Sequence, residues 1–149
     1  VVFVGQNVGN RQEYVDYLKA NGINVFAFGR GWPNAGRLTQ VEMIELLNKA
    51  KIALNFSSSA DTPDLKFLKG RIFEIPATGT MLLTEECENL SDYFNVGEHL
   101  DVFSDKAELL SKIGFYLSHE TALIKVSGKG QKLVLNNYTF ESYLSKIIN

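Results

Sequence analysis

"VVFVGQNVGNRQEYVDYLKANGINVFAFG", residues 1–29, decides the fold. It opens on a continuous β-branched and aromatic run over residues 1–5, then passes into a stretch where Tyr14, Val15 and Leu18 fall near helical spacing. Gly22 supplies a C-terminal stop, and a second apolar run follows at residues 24–29. A strand that is apolar throughout is buried on both faces, so strand, helix and strand in this order predict a parallel sheet covered by helices.

The pattern repeats to the end of the chain. A loop, "RGWPNAGRL", leads to the helix "TQVEMIELLNKAK", with Thr39 as N-cap and Glu42 as its capping-box partner. The strand "IALNFS", a polar loop, and a helix ending near Gly79 come next, then the strand "TMLLTE", the helical turn "NLSDYF" and a strand near "HLDVFS". Helices over "DKAELLSKIGFYLSH" and onward through "TFESYLSKIIN" close the sequence. The predicted architecture is a Rossmann-like α/β three-layer sandwich: a parallel sheet of about five strands with C-terminal helices, one domain over residues 1–149.

Composition narrows the function. Hydrophobic residues make up 45% and charged residues 21%, and the net charge is -2, so there is no basic excess to neutralise the phosphates of a nucleic acid. One cysteine, Cys87, forms no internal disulfide, and with two histidines a Cys/His metal site is not expected. A reducing, cytoplasmic setting fits this usage. No apolar run reaches the roughly eighteen residues a transmembrane segment needs. The chain starts without methionine and already inside a strand pattern, which predicts a domain of a longer protein.

In open parallel sheets, ligands bind outside the carboxyl ends of the strands. The loops expected there are "GQNVGNR", "GRGWPNAGR", "SSSADTPDLKFLKGR" and "TEECENL". Taken singly, their Gly, Asn and Ser residues are ordinary turn formers. Three such loops on one edge point instead to phosphates and hydroxyls, with Gly5, Asn7 and Arg30 as candidates in the first two. The phosphate loop, the full dinucleotide fingerprint and the nucleophile elbow are missing from the sequence. His99 and His119 read as surface residues, and Glu85, Glu86 and Glu88 as a solvated acidic loop.

The segment "KGRIFEIPATGTMLLTE", residues 69–85, places charges inside an apolar pattern. Asp61, Thr62 and Pro63 form a helix start, and a helix from about Pro63 would put Lys66, Lys69 and Arg71 in its first two turns, an anion site suited to phosphate. Glu74, surrounded by Ile72, Phe73, Ile75 and Ala77, falls at the core boundary and suits a pair of ribose hydroxyls. Cations for a diphosphate and an acid for ribose describe a nucleotide sugar. The plainer account is an Arg71–Glu74 ion pair at i, i+3, worth about 0.2–0.5 kcal/mol. Pro76 should kink or shorten the helix, and Gly79 and Thr80 complete the donor-binding candidates.

"KGRIFEIPATGTMLLTEECENLSDYF", followed by "VGEHLDVFSDKAELLSKIGFYLSHE", resembles the C-terminal half of CgeB-like (spore maturation protein) glycosyltransferases, a branch of the GT-B group with two Rossmann-like domains. "VFVGQNVGNRQEYVDYLKANGINVFAFGRGW" resembles the start of the same half. The resemblance implies a domain that binds a nucleoside diphosphate sugar, with Glu74 at the position of the acid that contacts ribose. A second acid, which contacts the donor sugar in those enzymes, is replaced here by Lys66. Lys69 and Arg71, with Arg30, would hold the diphosphate, and the first two would stabilise the departing nucleotide without a metal cofactor. The resemblance further implies a preceding Rossmann-like domain carrying the acceptor machinery for an unidentified acceptor, and an isolated domain that is inactive. A different class of function is also open: a non-catalytic nucleotide-binding or protein-interaction module on a flavodoxin-like scaffold.

Overall fold

Continuous apolar runs become the strands of one sheet. The computed structural model describes residues 1–33, 36–58, 65–139 and 141–142. In chain order it contains β1 (Val2–Val4), α1 (Arg11–Ala20), β2 (Phe26–Phe28), α2 (Gln40–Lys49) and β3 (Ile52–Asn55). These are followed by α3 (Arg71–Ala77), β4 (Met81–Glu85), a 3-10 turn at Leu90–Asp92, β5 (Asp101–Phe103), α4 (Lys106–Ser118) and α5 (Glu120–Asn137). The five strands pair in parallel throughout, in the order β2-β1-β3-β4-β5, with Phe3 opposite both Ala27 and Leu54, and Leu54 opposite Leu83. The fold is Rossmann-like, as the alternation of elements predicts.

Alternate strand residues feed two cores. Phe3, Ile52, Leu54, Met81 and Leu83 pack under α1, α4 and the start of α5. Val2, Ala53 and Leu82 face the other way, under Met43 and Leu47 of α2 and Ile72 and Ile75 of α3. Helix α5 serves both: its Leu123 and Val126 belong to the first core and its Val134 to the second. It gets from one to the other along the amino ends of the strands. There the Gln131 side-chain amide donates to Ala77 O, and Gly130 lies so close to His99 O that a Cβ would stand 2.1 Å from it.

The capping box of α2 forms as expected: Thr39 Oγ1 accepts from Glu42 N–H, and the Glu42 carboxylate accepts from Thr39 N–H at 2.8 Å. The helix start expected at Asp61, Thr62 and Pro63 lies outside the described residues. Within them, the third helix is a correction. It begins at Arg71, and Lys66 and Lys69 precede it. Lys66 and Phe67 run back antiparallel beside the segment that follows β3, with Ser58 bridged to Lys66 and Phe67 N–H donating to Ser57 O. That pairing takes backbone groups a helix would need, and Gly70 adds no propensity for one. Pro76 sits in the last turn of this seven-residue helix, consistent with its predicted shortening.

Candidate functional site

At the carboxyl ends of β1 and β2 the chain forms a cleft of about 510 Å³. One wall is backbone. Gly5 N–H donates to Phe28 O and Asn7 N–H to Arg30 O, so the two loops continue the sheet's pairing beyond its last strand residues. Trp32 Nε1–H closes this wall by donating to Gly5 O at 2.8 Å. Gly29 is required in it: its φ is +130°, and a Cβ there would come within 2.3 Å of Gly5 O. Val4, Leu38 and Met43 supply the apolar part of the cleft, and the starts of α2 and α3 supply the opposite lip.

Among the described residues, three arginines, Arg30, Arg37 and Arg71, line this space with a single carboxylate, Glu74. Three guanidiniums against one carboxylate leave a positive cleft, each with a planar fork matched to phosphate or carboxylate oxygens. Arg71 and Glu74 form an i, i+3 ion pair, with side-chain exposures of 33% and 53%. The pairing foreseen as the plainer account therefore exists, and it lies in the cleft rather than on a remote face.

A second charged cluster lies behind the cleft, where the loops after β1 and β3 meet. The order β2-β1-β3 makes the gap between β1 and β3 the topological switch point, the usual ligand crevice of such sheets. Here Arg11 fills it. The buried guanidinium donates to Gln6 O at 2.9 Å and to Ser58 O at 2.7 Å, and rests over the Phe3 and Phe56 rings. Lys69 Nζ reaches the same loop from the other side, donating to Phe56 O at 2.9 Å and to Ser58 O. Burial lowers the Lys69 pKa, and the neighbouring Arg11 charge lowers it further. Glu85 completes the clamp, accepting from Ser57 N–H at 2.8 Å and Ser58 N–H at 3.3 Å. Lys66 Nζ stands 3.9 Å from the same carboxylate.

The structure thus divides the predicted residues. Gly5, Arg30, Arg71 and Glu74 line the cleft. Asn7 serves its wall, its side-chain amide donating to Gly31 O and Gln12 Oε1. Lys66 and Lys69 belong to the clamp and do not line the cleft. Gly79 and Thr80 are separated from the rest. They precede β4 at the opposite, amino edge of the sheet, where Thr80 Oγ1 donates to Leu47 O and Gly79 packs on Gln131. Glu85, expected in a solvated loop, is 4% exposed because it ends a strand buried along its whole length. Arg37 and Arg11 were not singled out by sequence. Each ends a loop expected at the carboxyl edge, Arg11 after the first strand and Arg37 after the second, but neither belongs to a motif, and Arg11 also reads as an ordinary first-turn residue of an amphipathic helix.

The sequence profile of the Glycosyl transferase-like family matches residues 11–149. No curated protein matches the chain. Among solved structures, TarM superposes with a TM-score of 0.72 at 13% identity, over 99% of this chain and 34% of TarM. The C-terminal domain of LpcC, a glycosyl transferase group 1 family protein from Francisella tularensis, gives 0.70 at 10% identity, over 93% of this chain and 86% of that domain. Anabaena Alr3699/HepE in complex with UDP-glucose gives 0.66 at 12% identity, over 99% of this chain and 39% of HepE. The chain thus spans about a third of the length of TarM. With the profile covering nearly all of its residues, the chain belongs to the Glycosyl transferase-like family.

Proposed function

We propose that the cleft binds the nucleoside diphosphate sugar donor of a glycosyltransferase, and that the chain is the C-terminal, donor-binding half of a longer enzyme. The observation that carries this reading is the convergence of Arg30, Arg37, Arg71 and Glu74 in one cleft at the carboxyl edge of the sheet. HepE, a protein of the same fold, was solved with UDP-glucose bound, which supports a nucleotide sugar as the ligand class. The arginines take the diphosphate, and Glu74 turns from Arg71 to accept hydrogen bonds from the ribose hydroxyls. Val4, Leu38 and Met43 offer an apolar surface for the base.

As the glycosidic bond breaks, negative charge grows on the departing diphosphate, and fixed cations in a partly enclosed site stabilise it. In this reading Arg71 and Arg30 do so, without a metal cofactor, while Lys69 acts from behind by holding the loop after β3. The acceptor and the groups that activate it reside on a preceding Rossmann-like domain. The run Lys-Gly-Arg-x-Phe-Glu-x-Pro-Ala-x-Gly favours the CgeB-like branch of the family, and the single cysteine favours a reducing cytoplasm.

Calorimetric titration of the chain with UDP-, GDP- and ADP-glucose, in EDTA and again with magnesium, tests the proposal. The expected result is binding to one of them in either buffer, weakened about tenfold by Arg71→Ala, the worth of one charge-assisted hydrogen bond of roughly 1.5 kcal/mol. Glu74→Ala should weaken the nucleoside diphosphate sugar but spare inorganic pyrophosphate. Equal affinity in both variants and the parent would overturn the assignment of the cleft.

A further inference from the structure

Helix α5 carries an unusual outer face. Residues 121–137 contain Lys125, Lys129 and Lys132 and no acidic residue, in a chain whose net charge is -2. At 100° per residue, Thr121, Ile124, Gly128 and Leu135 fall within about 60° of arc, and the lysines occupy the adjoining 60° or so. This is the solvent side. Leu123, Val126, Ser127, Gly130 and Val134 are the buried residues of the helix, whereas Ile124 is 61% and Leu135 49% exposed.

Little in the fold occupies these groups. Lys129 pairs with Glu98 at 2.7 Å, and Glu120 at the helix start pairs with Lys51. Among the described residues, Lys125 and Lys132 make no ion pair. Beside them, Phe115 of α4 is 48% exposed and shares a shallow groove with Lys125 and Lys129. The whole surface lies along the amino ends of the strands, opposite the arginine cleft.

We propose that the outer face of α5 docks on the anionic surface of a phospholipid bilayer. Lysines on the flank of a helix meet the headgroup phosphates, while an apolar strip between them and the opposite flank enters the interface. A soluble polyanion would engage the lysines but gain nothing from Ile124 and Leu135. An acidic protein would need a shaped recess, and a strip with Gly128 at its middle is flat. Seated this way, the protein turns its cleft away from the membrane. The inference is independent of what the cleft binds.

Flotation of the chain with vesicles tests it. Binding is expected to vesicles of phosphatidylcholine with phosphatidylglycerol, not to phosphatidylcholine alone, and to fall with added salt. Replacing both free lysines, Lys125→Glu with Lys132→Glu, should reduce partitioning at least about tenfold. Ile124→Ser with Leu135→Ser should also reduce it, although every charge is kept. Each changed position is solvent-exposed, and a thermal melt of each variant separates lost docking from lost folding. Failure of the parent chain to float with anionic vesicles overturns the proposal. Loss in the lysine variant with no loss in the apolar variant overturns the bilayer in favour of a soluble polyanion.

Discussion

Lys69 shows how a charge can be conspicuous in a sequence and yet work on the protein itself. Its ammonium donates to Phe56 O and Ser58 O, which Arg11 also approaches, so the two cations hold one loop by its carbonyls. Lys69→Met removes one of two donors on shared acceptors, and we expect a loss of about 1 kcal/mol. For a chain of this size that is a fall of roughly 2–4 °C in Tm, readable by differential scanning calorimetry. Arg71→Ala should do the reverse, lowering donor affinity with little change in Tm, since Arg71 is partly exposed and bonded to Glu74 alone among the described residues. That these charges are out of keeping with their surroundings was legible, because cations and a carboxylate interrupt an apolar run. Their division of labour was not. It depends on Arg11, Phe56 and Ser58, which lie up to 58 positions away from Lys69 by number and share no motif with it. Glu85 was misread for a related reason: Glu86 and Glu88 beside it suggested solvent, whereas the register of β4 against β3 carries it to the Ser57 and Ser58 amides.

Among the elements, those closed by local bonds could be read from the sequence, and those closed by distant ones could not. The α2 cap is a four-residue device, so Thr39 and Glu42 announced it. The start of α3 depends on pairing with the segment after β3: a helix from about Pro63 would cover residues 66–70, and these are not helical. Helix α4 offers a test of local electrostatics. Asp105 caps it by accepting from Ala107 and Glu108 N–H, while Ser104 donates through both its amide and its hydroxyl to the Glu108 carboxylate. With Lys112 adding to these bonds, the Glu108 pKa falls from 4.5 to about 2. Since the folded value lies below the unfolded one, this contribution is fully present above pH 4.5 and disappears as the pH falls through about 2. Chemical denaturation at pH 6 and pH 3 should therefore show a smaller acid-induced loss for Glu108→Gln than for the parent chain. Equal losses would mean that Glu108 is as free in the folded state as in the unfolded one.

Across the whole molecule, alternating elements predicted a parallel sheet, but not its strand order and not the passage of α5 between the two cores. A helix that changes faces has no periodic signature, because each half obeys ordinary amphipathic spacing. Gly130 is where that passage is tightest. Gly130→Ala gains helix propensity of up to about 1 kcal/mol, yet drives a Cβ to 2.1 Å from His99 O, so a net destabilisation of roughly 1–3 kcal/mol is expected. Gly128→Ala is the matched control, since a Cβ there meets nothing within 4 Å and only the propensity gain remains. Thermal melts of the two variants should move in opposite directions. The cleft has a comparable asymmetry. Its β1–β2 wall is zipped backbone to backbone, with Arg11 wedged behind, whereas its far lip consists of long side chains on the first turn of α3 and in the loop just before α2. For the proposed donor it would act as a vice with one fixed jaw and one adjustable jaw: the fixed jaw would set where the ligand lies, and the rotamers of Arg37, Arg71 and Glu74 how large a ligand fits.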